Sequence, residues 1–74
     1  MKRVNPNDAR KGQYVDSYPF MKVQEKYIQK VCERLENSLR RNNQPGEIVY
    51  TKIPAWGKGG KLDPFDTWQI FWVK

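Results

Sequence analysis

From Tyr18 to Asn43 the chain runs without a glycine, and its one proline there, Pro19, falls where the first turn of a helix tolerates it. In a chain of 74 residues such a stretch leaves room for little more than one layer to cover it. Asp16 or Ser17 can cap its start. At its end, Asn42-Asn43-Gln44-Pro45-Gly46 brings residues that accept a left-handed conformation, followed by a breaker. These signals predict one long helix over about residues 18–43, a rod of roughly 37 Å at about 1.5 Å per residue.

On a wheel at about 100° per residue with Lys22 at zero, the stretch divides into three sectors. Phe20, Met21, Tyr27, Ile28, Val31, Cys32, Leu35 and Leu39 share an apolar sector of the width expected of a core-facing helix. Lys22, Lys26, Lys30, Arg34, Arg40 and Arg41 gather on one polar edge, and Glu25, Glu33 and Glu36 on the adjoining one. Lys22, Lys26, Lys30 and Arg34 follow one another at i, i+4, where like charges repel by a few tenths of a kcal/mol. Helix stability alone would have interleaved the signs. The stripe is therefore either an ordinary solvated face or a ridge that contacts an anion.

The remaining chain supplies the covering layer. Ile48, Val49, Tyr50, Thr51 and Ile53 are strong β formers, and Pro54 closes that run. Asp66 to Val73 reads as a second strand, with Trp68, Ile70 and Trp72 on one face and Thr67, Gln69, Phe71 and Val73 on the other. The expected fold class is α+β: the long helix packed on a small antiparallel sheet dominated by a C-terminal β-hairpin of about 47–54 and 66–73. A short N-terminal strand can lie within Gln13–Asp16. Residues 1–13 carry Lys2, Arg3, Arg10 and Lys11 among Asn, Pro and Gly without apolar periodicity, and read as a flexible basic arm. Residues 1–74 read as one small domain. Trp68, Ile70 and Trp72 should cover the helix, while Tyr50 and Phe71 are candidates for an exposed aromatic platform.

The chain has no His and a single Cys, so the commonest acid/base group, a disulfide and a thiolate zinc site are all missing. Cys32, at an apolar position of the helix, reads as a small buried hydrophobe. Asp63 and Asp66 around Pro64-Phe65 read as turn-shaping residues and not as a metal or acid pair. No nucleophile and base can be assembled, so no enzyme, cofactor or metal is expected. The Gly57-Lys58-Gly59-Gly60-Lys61 loop allows close backbone approach to an anion beside two ammonium groups, although it lacks the phosphate-loop pattern. Trp56, next to it, can close the core or present a stacking surface.

Charge is the anomaly that remains. Fourteen Lys and Arg against eight Asp and Glu give +6, and the excess is spread along the chain instead of confined to a tail. With a polar N-terminal segment and no apolar run longer than Ile70–Val73, a cytoplasmic protein without a membrane span is expected. These features predict a small basic nucleic-acid-binding protein, of DNA or RNA, of the kind that regulatory or phage and mobile-element products include. Its phosphate contacts would come from Lys22, Lys26, Lys30, Arg34, Arg40 and Arg41 on the helix, Lys58, Lys61 and Trp56 at the hairpin tip, and Arg10 and Lys11 on the arm, along one groove. Gln29, Asn37, Arg34 and Arg41 are the nearest candidates to read base edges. The alternative is a small protein-binding modulator, an inhibitor or adaptor, that docks the same ridge and exposed aromatics on an acidic partner. A ribonuclease-like activity built from Lys, Arg and Tyr ranks last.

Overall fold

In a computed structural model, residues 2–54 and 66–74 are described. In chain order they form β1 (Lys2–Arg3), α1 (Pro6–Ala9), β2 (Gln13–Pro19), α2 (Glu25–Arg41), β3 (Glu47–Ile53) and β4 (Thr67–Val73). The strands make one sheet in the order β1-β3-β4-β2. The β3–β4 hairpin pairs Glu47 with Val73 through Ile53 with Thr67, within a residue of the expected bounds. Both β2 and β3 run antiparallel to β4. They are thus parallel to each other, and α2 is the crossover that such a pair requires.

The α+β expectation holds, but α2 begins seven residues later than the sequence predicts. Tyr18 and Pro19 are the last residues of β2, opposite Trp68 and Thr67. Pro19 disfavours helical geometry at Tyr18, and at the end of an edge strand its missing N–H costs no ladder bond. Six residues of β2 paired with β4 then outweigh about two marginal extra turns of helix. Beyond the strand the Phe20 N–H donates to the Asp66 carbonyl at 3.0 Å, and the Lys22 and Val23 N–H groups fold back onto the Pro19 carbonyl. The Trp68 indole N–H donates to the Val23 carbonyl at 2.9 Å and fixes the approach to the helix. Met21, assigned to the core by the wheel, is 84% exposed as a result.

The far end of α2 follows the sequence closely. Asn43 is left-handed at φ 54°. The Gln44 N–H donates to the Leu39 carbonyl at 2.9 Å and the Asn43 N–H to the Arg40 carbonyl at 3.1 Å, the two bonds of a Schellman cap. Gly46, at φ 111°, lies against Trp72 and Val73 so closely that any Cβ would collide with both. The Trp72 indole donates to the Pro45 carbonyl at 3.1 Å, locking this turn onto β4.

Alternation along the strands builds two small cores. On one face Ile28 and Cys32 of α2 meet Ile48, Tyr50, Trp68 and Ile70, with Val31, Leu35, Leu39 and Trp72 packed around them. On the other, Ala9 of α1 meets Val49 and Phe71, flanked by Val4 and Val73. Residues 2–13 are therefore not a free arm. Lys2 and Arg3 pair in parallel with Val49 and Tyr50, the Asn5 side chain caps α1, and Ala9 is fully buried. Tyr50 and Phe71 do not form an exposed platform, because their pairing register puts them on opposite faces and both are buried. Among the described residues no helix is long and apolar enough to cross a membrane.

Candidate nucleic-acid interface

α2 lies with Ile28 and Cys32 against the sheet, which turns Lys26, Lys30, Arg34 and Arg41 outward, all exposed. Lys26, Lys30 and Arg34 are one turn apart in succession, and Arg41 continues the row two turns beyond Arg34. Among the described residues none of these four has an ion-pair partner. Arg40 lies at the edge of the row, where its guanidinium reaches the Asn37 side-chain oxygen at 3.5 Å.

Of the acids that flank the row in sequence, Glu33 stays exposed beside it, while Glu25 is drawn elsewhere. The Tyr50 hydroxyl donates to Glu25 Oε2 at 2.7 Å and accepts from the Gln29 amide at 3.1 Å. Arg3 donates to both Glu25 oxygens, at 3.1 and 3.2 Å, with its guanidinium 5.4 Å from the Trp68 ring centre. The hydrogen bond from Tyr50 leads in holding the Glu25 carboxyl below its ordinary value; Arg3 adds to it, and partial burial opposes both. Burial, in turn, pushes the Tyr50 hydroxyl up. Sequence reasoning missed this cluster. Arg3 reads there as part of an arm, and only the pairing of β1 with β3 sets it beside Tyr50. Gln29, a candidate for base contact, is committed to the same cluster.

Elsewhere Asp66 pairs with Lys52 at 3.3 Å, Asp8 with Lys11 at 3.5 Å, and Glu36 also has a partner. Lys52 further places its ammonium 4.1 Å from the Phe20 ring centre. The burial of Cys32 pushes its thiol up to about 11, which keeps it protonated near neutrality and a poor nucleophile.

Lys22 lies in the turn before α2 and not on the helix, yet it still joins Lys26 and Lys30 around one open concavity of about 580 Å³. Tyr18 and Tyr27 form the aromatic part of its wall, edge to face with ring centres 5.9 Å apart. Tyr27 is 49% exposed, although the wheel placed it with the core. The shortened helix is the cause: Tyr18 sits on β2 at the sheet's edge, and Tyr27 reaches over it instead of into the interior. Burial, with the neighbouring Asp16 carboxylate, raises the Tyr18 hydroxyl, so it stays neutral.

The candidate residues do not all meet in one groove. Arg10 and Lys11 follow α1, whose Ala9 packs on the sheet face opposite α2, so they do not extend the ridge. Trp56, Lys58 and Lys61 lie outside the described residues. What the structure assembles is Lys22, Lys26, Lys30, Arg34 and Arg41 on one side, with two tyrosines at the end nearest Lys22. Comparison of the chain with known family models, curated proteins and solved structures finds no significant match.

Proposed function

We propose that the protein binds nucleic acid through the exposed side of α2, with Lys22, Lys26, Lys30, Arg34 and Arg41 set against phosphates. The observation that carries this reading is the uneven use of charge. Glu25, Asp8 and Asp66 are ion-paired and Glu36 is engaged, whereas Lys26, Lys30, Arg34 and Arg41 stand in a row with no ion-pair partner among the described residues, with Glu33 as the one acid of α2 in the same state. A polyanion supplies the missing partner and gains from releasing its own counterions. Binding is then mainly electrostatic, without catalysis and in the cytoplasm. A protonated, buried Cys32 and a chain without His support the non-catalytic part.

The test is titration of labelled duplex DNA, single-stranded DNA and RNA at two salt concentrations, with amide-shift mapping. The triple variant Lys26→Ala/Lys30→Ala/Arg34→Ala should weaken binding and reduce the salt slope by about 2 to 3, since each phosphate contact contributes roughly 0.7 to 0.9. Absence of binding at about 50 mM salt, where the electrostatic term is strong, rejects the reading.

A second reading, a modulator that docks this ridge on an acidic protein, is favoured by Met21, 84% exposed beside Lys22. Adaptable Met side chains suit protein surfaces. Stoichiometric recovery of one acidic protein after nuclease treatment, lost in Met21→Ser, would decide for it.

A further inference from the structure

The basic row by itself would attract any phosphate backbone, and it ends on a concavity walled by Tyr18 and Tyr27. Tyr27 shows half its area to solvent, and the Tyr18 ring packs edge to face against it at 78° with ring centres 5.9 Å apart. Lys22, Lys26 and Lys30 line the same concavity, and no carboxylate does. An exposed, braced aromatic ring among ammonium groups is what a nucleotide with an unpaired base needs: the ring takes the base, and the lysines take the flanking phosphates. In a duplex both faces of each base are already stacked, and the ring would have nothing to cover.

On this basis we propose that the Tyr18–Tyr27 concavity seats an unpaired base and that α2 therefore selects single strands over duplexes. The inference rests on the nucleic-acid reading above and deepens it. Stacking on a tyrosine is tolerant of base identity, so preference among sequences is small, while preference for an open strand is large. Tyr18 is a positioning residue, since it is less exposed and acts by bracing Tyr27.

The experiment compares fluorescence anisotropy of labelled oligothymidylate, oligouridylate and a duplex of equal length at about 50 mM salt. The wild-type protein is measured beside Tyr27→Ala, Tyr27→Leu and Tyr27→Phe, with circular dichroism to confirm that each remains folded. Single strands should bind more tightly than the duplex. Tyr27→Ala and Tyr27→Leu should lose about tenfold on single strands, within the range of one lost stacking contact, and little on the duplex. Tyr27→Phe, which keeps the ring, should behave as wild type. Tighter binding of either single strand than of the duplex supports the seat. Equal or tighter duplex binding by the wild type, equal losses on all three ligands, or no loss in Tyr27→Leu overturns it. Those results leave the ridge standing, because the ridge is judged by the lysine and arginine triple variant. If none of the three ligands binds, both proposals fall together.

Discussion

Glu25 shows how one side chain is redirected by its surroundings. At the first turn of α2 a carboxylate already faces the positive end of the helix dipole. The Tyr50 hydroxyl and the Arg3 guanidinium then hold it in its ionised form and below the ordinary glutamate value of 4.5. A folded-state value depressed below the unfolded one contributes stability that is present above the unfolded value and is lost as pH falls through the folded one. The advantage of the wild type over Glu25→Gln, read as a urea midpoint, should therefore be full at neutral pH and shrink as the solution is acidified below about 4.5. A midpoint difference that is flat over this range would show that the ion pair is idle.

Cys32 tests the same scale from the opposite direction. Its thiol is buried against the sheet and raised to about 11, so a thiol reagent at pH 8 should label the folded protein very slowly and the urea-unfolded protein readily. Fast labelling of the folded chain would contradict the packing of α2 on β3 and β4.

Among the elements, α2 takes its end from local chemistry and its beginning from the sheet. The Schellman cap at Asn43 and Gln44 and the glycine at 46 are set by residues within a few positions of one another. Gly46→Ala should destabilise by at least about 1 kcal/mol, or roughly 4–8 °C in a domain of this size, because φ 111° is forbidden to alanine and its Cβ would meet Trp72. Asn43→Gly, by contrast, should be neutral or slightly stabilising. The helix face has its own ranking. Ile28→Ala should cost about 2–5 kcal/mol, as full burial leaves a cavity, and Leu39→Ala distinctly less, since Leu39 is only partly buried. Thermal unfolding of the four variants checks all of these at once.

At the scale of the whole molecule, two groups of basic residues among the described ones lie on opposite sides of the sheet. Lys22, Lys26, Lys30, Arg34 and Arg41 lie with α2, while Arg10 and Lys11 lie with α1 on the other sheet face. A rigid ligand laid along α2 cannot neutralise both groups. Arg10→Ala/Lys11→Ala should therefore change the salt slope of the proposed nucleic-acid binding by much less than the α2 triple variant does. Equal changes would mean that the ligand wraps the sheet.

Amino-acid order was enough to determine the hairpin, the apolar stripe of α2 from Ile28 to Leu39, the turn at 42–46 and the outward row of positive charge. Each depends on periodicity or on residues close in the chain. Only the tertiary structure decided that Tyr18 and Pro19 belong to a strand, that Met21 and Tyr27 face solvent, that Arg3 meets Glu25 and Tyr50, and that Tyr50 and Phe71 are buried on opposite faces. The physical reason is common to these cases. Pro19 disfavours helix at Tyr18 but is tolerated in a first helical turn, so the local signal is ambiguous, and the choice at Tyr18 and Pro19 is made by pairing with β4, some fifty residues away. The two residues of β1 likewise have no pattern of their own and are placed by the edge of β3. The basic ridge was legible in the sequence, but its aromatic end came into being only when the sheet shortened the helix.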